Sequence, residues 1–86
     1  MTYRIEIAKP AAKFIRSLPA PDKERMLRAI HKLPEEGDIK QMKGAKAKEF
    51  FRLRVGDYQV IYSVDNGKLV VFVVDAGNRG QIYKRY

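Results

Sequence analysis

The period at which hydrophobic and polar positions repeat changes along the chain, and those changes predict its elements. Tyr3, Ile5 and Ile7 alternate with Arg4 and Glu6, as in a strand half buried on one face. From Pro10 the spacing turns helical. Ala11, Phe14, Ile15 and Leu18 fall on one stripe, Pro10 suits a first turn where its missing N–H costs nothing, and Pro19 ends the helix. Pro21, Asp22 and Glu24 open a second helix, with carboxylates at the positive end of the dipole. Its apolar stripe is Met26, Ala29, Ile30 and Leu33, and Pro34 stops it. So short a connection makes the two helices an antiparallel hairpin. Residues 35–48 contain Gly37 and Gly44, show no clear period and read as a basic loop.

Strand periodicity then returns. Phe51, Leu53 and Val55 alternate with Arg52 and Arg54, so the apolar groups share one face and both arginines the other. Gly56-Asp57 makes a turn, and Tyr58 to Val64 is rich in β-branched and aromatic residues. Asn66-Gly67 is a strong two-residue hairpin signal leading into Leu69 to Val74. That last run lacks polar alternation and is expected to be a central strand covered on both faces. A short polar tail covers 77–86. The expectation is an α+β fold: an N-terminal strand, a helical hairpin, then a three-stranded antiparallel meander, with the helices packed on one face of a small curved sheet.

With 86 residues the chain suits a single domain spanning 1–86. Hydrophobic residues make up 45% of it, enough to close a small core without disulfide or metal. Cysteine is absent and His31 is the sole histidine, so no disulfide framework or Cys/His zinc site can be built. The acids are scattered singly, which gives no evident carboxylate pair for glycoside hydrolysis or Mg²⁺, and no glycine-rich loop opens a helix to cradle a nucleotide phosphate. We expect no metal and no cofactor. No run approaches membrane-span length and no leader pattern is present, so a cytoplasmic location is expected, with no membrane partner.

Charge changes the picture more. There are 18 Lys plus Arg against 10 Asp plus Glu, a net +8 that attracts phosphate polymers, anionic surfaces or acidic proteins. Lys40, Lys43, Lys46, Lys48, Arg52 and Arg54 meet a single acid, Glu49, within one segment, where the reading concentrates the excess. Aromatics interleave with cations here and near the end of the chain, a combination that stacks unpaired bases while holding a backbone. Arginine binds phosphate in two-point geometry and stays charged. On residue identity alone, Arg52 and Arg54 read as well as a solvated strand face, Tyr83 as a tail residue packed on the sheet, and the segment as glue for an acidic partner.

The order of residues adds a resemblance. Lys43-Gly44, then Phe50-Phe51-Arg52-Leu53-Arg54-Val55-Gly56-Asp57-Tyr58-Gln59-Val60-Ile61-Tyr62, the turn Asp65-Asn66-Gly67-Lys68, Val70 to Val74, Gly77-Asn78-Arg79 and Ile82-Tyr83 resemble the RelE/ParE toxin superfamily. Ala11-Ala12-Lys13 and Leu18-Pro19 extend the likeness over nearly the whole chain, and the RelE-like mRNA interferase branch fits best.

That resemblance implies the toxin of a type II toxin–antitoxin system, a ribosome-dependent endoribonuclease acting on mRNA and silenced by a cognate, acidic RelB-like antitoxin. It implies metal-free cleavage by attack of the ribose 2′-OH on the adjacent phosphate. Arg52 and Arg54 are implied in phosphate binding and charge stabilisation, Arg79 at the transition-state phosphate, and Tyr83 as base, 2′-OH orienter or stacking platform. Lys43, Lys46, Lys48, Gln59, Asn78, Lys84 and Arg85 are implied in RNA binding. The chain departs from the pattern at Gln59, where such toxins commonly carry arginine, and at Asn78, where histidine or lysine often precedes the arginine. Phe50 stands where a basic residue is expected, so Lys46 or Lys48 substitutes. The alternatives are a ParE-like inhibitor of DNA gyrase and an attenuated toxin that retains only antitoxin binding.

Overall fold

The computed structural model describes residues 3–42 and 50–78. Strand β1 (Arg4–Ile7) leads through Ala8, whose extended backbone caps α1 (Lys9–Arg16) and whose N–H donates to the Val73 carbonyl at 2.8 Å. Pro10 lies in the first turn of α1, where an N–H has no intrahelical acceptor to lose. Ala11 and Ile15 are buried, with Phe14 and Leu18 half-buried beside them. Pro19 both closes this helix and caps α2 (Ala20–His31), which buries Met26 and Ile30.

A five-stranded sheet receives the two helices. It comprises β1, β2 (Asp38–Gln41), β3 (Phe51–Val55), β4 (Tyr58–Asp65) and β5 (Val70–Asn78), in the spatial order β1-β5-β4-β3-β2. β1 runs parallel to β5, with Arg4 opposite Val70 and Ile7 opposite Val73, and the remaining pairs are antiparallel. Helix α1 lies mainly against β5 and α2 against β3. Alternate strand residues point to the helices. Leu53, Val55, Val60, Tyr62, Val71 and Val73 therefore meet Ala11, Ile15, Met26 and Ile30 in one core. Each fully buried aliphatic contributes about 1.5–3 kcal/mol.

Four expectations change. The segment read as a loop from Glu35 to Lys48 contains β2, a four-residue edge strand whose one apolar residue, Ile39, packs against the core. Four residues with a single apolar group give almost no periodic signal; pairing with β3 makes the strand, and Met42 N–H extends it to the Phe50 carbonyl at 3.0 Å. The Asn66-Gly67 connection is a four-residue loop, since Asp65 pairs with Val70, and its positive φ of 56° falls on Leu69. β5 also runs past Val74 to Asn78, taking Gly77 and Asn78 out of the tail. It has strands on both sides but is not covered on both faces, because Phe72 is 36% exposed. A register shift between Ile61 and Tyr62, which face Asp75 and Val73, leaves Val74 as the extra residue and lets the strand continue.

Candidate nucleic-acid interface

The strand face turned away from the helices follows from register. Arg52 and Arg54 alternate with buried Leu53 and Val55, so both guanidiniums leave the core side. Arg54 is exposed and stands between Asp38 on β2 and Gln59 on β4. Arg52 is half-buried, between Lys40 and Ile61, against which register sets its aliphatic stem. The next strand puts Gly77 opposite Gln59 and Asp75 opposite Ile61. Arg54, Gln59 and Gly77 therefore form one row across three strands, with Lys40, Arg52 and Ile61 in the row beside it.

Gln59 is 1% exposed, and its Oε1 is buried with no hydrogen-bond donor among the described residues. An acceptor stripped of water without a partner costs about 1–3 kcal/mol. The amide thus brings polarity to the middle of the row without bringing charge. Arg54 has no ion-pair partner among the described residues, although Asp38 lies across from it. Asn78 pairs with Tyr58, so its register is that of the opposite face, one residue out of step with Gly77. Lys43, Lys46, Lys48, Arg79, Tyr83, Lys84 and Arg85 lie outside the described residues. Of the residues implied in the site, the described structure brings together Arg52, Arg54 and Gln59.

Lys40 was not among the implied site residues, yet it shares this face opposite Arg52. Its signal was the alternation of Asp38, Ile39, Lys40 and Gln41, hidden by its brevity. The described tyrosines serve other ends. Tyr62 is buried, and that burial pushes its phenol up to about 12. It stacks on Phe51 with centroids 5.5 Å apart. Tyr58 donates to Asp22 Oδ2 at 2.8 Å, and this bond, with burial second, raises its phenol above the ordinary value. Neither phenol can exchange a proton near neutral pH.

A separate cleft of mixed character lies where β2, β3 and β4 meet the β4–β5 hairpin, with Ile39, Phe51, Val64 and Phe72 beside Gln41, Asp65 and Asn66. Among the described residues, no three His, Cys, Asp or Glu side chains are grouped to hold a metal. No described helix is long and apolar enough to cross a membrane.

Residues 5–83 match the family model for the ParE toxin of type II toxin–antitoxin systems, parDE. No curated protein sequence matches. The crystal structure of an archaeal RelE–RelB complex from Pyrococcus horikoshii OT3 contains a chain 31% identical to this one, with a TM-score of 0.73, covering 94% of this chain and 99% of that one. The toxin–antitoxin complex RelBE2 from Mycobacterium tuberculosis matches with a TM-score of 0.76 at 18% identity, covering 92% of this chain and 100% of that one. Isolated RelE toxin from E. coli matches at 0.68 and 22% identity, covering 96% of this chain and 93% of that one. These last two establish likeness of fold alone.

Proposed function

The chain belongs to the ParE toxin family of type II toxin–antitoxin systems, and from that premise we propose that it is a ribosome-dependent mRNA endoribonuclease held inactive by an acidic, RelB-like antitoxin. The observation that carries the reading is the pair of guanidiniums, Arg52 and Arg54, side by side on the sheet face away from the helices. It is supported by 31% identity to a RelE-complex chain over nearly the whole length.

In the proposed reaction the ribose 2′-oxygen forms a bond to the adjacent phosphorus while the bond from phosphorus to the 5′-oxygen breaks. The 2′-OH proton leaves, the departing 5′-oxygen gains one, and the products are a cyclic phosphate and a 5′-OH. Negative charge grows on the non-bridging oxygens, and fixed guanidiniums lower its energy without reorganising. Arg52 and Arg54 take that role, with Arg79 at the same phosphate and Tyr83 orienting or deprotonating the 2′-OH. Arginine is too basic to relay protons near neutrality. Alignment of the mRNA for in-line attack then falls to the ribosome, which also fixes a cytoplasmic site of action.

Primer-extension mapping of mRNA in a purified translation system tests this. Codon-spaced cuts are expected only with ribosomes present, and Arg54→Gln lowers the cutting rate about a hundredfold, the scale of losing one charge-stabilising donor. Arg79→Ala abolishes cutting with the fold intact. Undiminished cutting by both variants refutes the site.

One observation favours a second reading. The uncharged Gln59 occupies the centre of the row, so the site is short of a cation for phosphoryl chemistry. A ParE-like gyrase inhibitor needs no such chemistry. Loss of supercoiling by purified gyrase, with mRNA left whole, selects that reading.

A further inference from the structure

The positive charge is not confined to 40–54. In α2 and its C-cap, Lys23, Arg25, Arg28 and Lys32 are opposed by only Asp22 and Glu24. Three of these cations, at spacings of three and four, share one helical face and line a cleft with Ala29, Glu36 and Gly37. Arg25 keeps one loose contact, 3.8 Å to Asp22. Arg28 and Lys32 are exposed and have no ion-pair partner among the described residues. Gly37 shapes the cleft: its φ is 137°, and a methyl there would come within 2.7 Å of Leu53 Cδ1.

At one end the cleft reaches the β3–β4 turn. A methyl on Gly56 would lie 2.8 Å from Arg25 Nη2, so the guanidinium rests against the β3–β4 turn. Arg54 is two residues before that turn, on the strand's other face. Cations thus run from Lys32 and Arg28 to Arg25 at the turn.

We infer that the α2 cleft is a second phosphate-binding surface, which holds the sugar-phosphate backbone of RNA outside the nucleotides bound on the sheet face. The chemistry favours RNA over an acidic peptide. Ala29 is the cleft's sole apolar side chain, whereas peptides dock through buried apolar or aromatic anchors. Those anchors lie elsewhere, around Phe51 and Phe72. Two arginines and a lysine with weak or no internal partners are the donors that backbone phosphates use. This inference rests on the chain being RNA-directed, and its test separates the two ideas.

The test measures binding of the full-length chain to poly-uridine RNA across a salt series. Arg28→Gln with Lys32→Gln removes two phosphate contacts, so the slope of log affinity on log salt falls by about 1.4, and affinity drops roughly twentyfold at 0.1 M salt. Lys9→Gln with Lys68→Gln removes equal charge from exposed positions elsewhere and leaves the slope in place. The exchange Arg28→Lys with Lys32→Arg keeps the parent slope, which excludes misfolding as the cause. An unchanged slope in the first double variant overturns the inference, as does an equal fall in the Lys9 and Lys68 control. Loss of binding to an acidic antitoxin with RNA binding intact overturns it in favour of a protein partner. If ribosomes and the parent chain give no mRNA cuts but the α2-dependent slope appears, the surface stands and the nuclease reading falls.

Discussion

The two faces of the sheet are made from the same strands, yet they obey different rules. On β3, Leu53 and Val55 enter the core while Arg52 and Arg54, one residue out of step, leave it. On β4, Val60 and Tyr62 join the core, and Gln59 and Ile61 point the other way, also buried but outside it. The helix side is mainly apolar and gains from every methylene it buries. The opposite side joins a solvent-exposed guanidinium to an orphaned amide oxygen, a combination that does nothing for stability. The core and the arginine-bearing surface are thus separated by a single step in register.

If that separation is right, substitutions on the two sides diverge. Leu53→Ala takes a fully buried side chain from the helix side and costs about 2–5 kcal/mol in urea unfolding, while Arg54→Gln shifts the same midpoint by less than about 0.5 kcal/mol. Equal losses break the comparison.

A pH series sharpens it. The Tyr62 phenol is at about 12 in the folded chain and at 10.0 in the unfolded one. Between these values the unfolded chain has released the proton and the native state still holds it. The stability contribution is therefore complete below pH 10 and is lost as pH rises through 12. Tyr62→Phe should flatten this alkaline decline by on the order of 2 kcal/mol relative to the parent. Matching declines in the two proteins would show that the core side is open to water.

Gln59→Met gives a smaller change than Leu53→Ala or Tyr62→Phe, and its sign is the most informative. Removing an unpartnered acceptor at nearly constant volume raises stability by about 1 kcal/mol, measured as a higher urea midpoint. A loss instead would show that the amide oxygen is satisfied in solution.

The sequence revealed what depends on period and little of what depends on pairing. Pro10, Pro19 and Pro21 delimit both helices, and the alternation from Phe51 to Val55 assigned the arginine face, because these signals act within a few residues. β2 was hidden because Ile39 alone marks it and β3 supplies the rest. The run from Leu69 to Val74 suggested burial on both faces; Val70 and Phe72 are turned from the core, and only Val70 is buried. The Arg54–Gln59–Gly77 row is a product of strand register, which no local pattern encodes. In α2, Arg25, Arg28 and Lys32 stand at helical spacing, but spacing alone does not set them apart from an ordinary solvated helix face. Only the cleft beside Gly37 and the contact with the Gly56 turn give them a shared direction.

The parallel pairing of Arg4–Ile7 with Val70–Val73 bears on biosynthesis. The first of the five strands has only one neighbour in the sheet, and that neighbour is the last of the five to be translated. Until β5 emerges, β1 has nothing to zip to, so α1 has no finished platform. Closure of so non-local a contact is slow and comes at the end. The sheet is thus complete only once β5 has been made, however early β1 emerges.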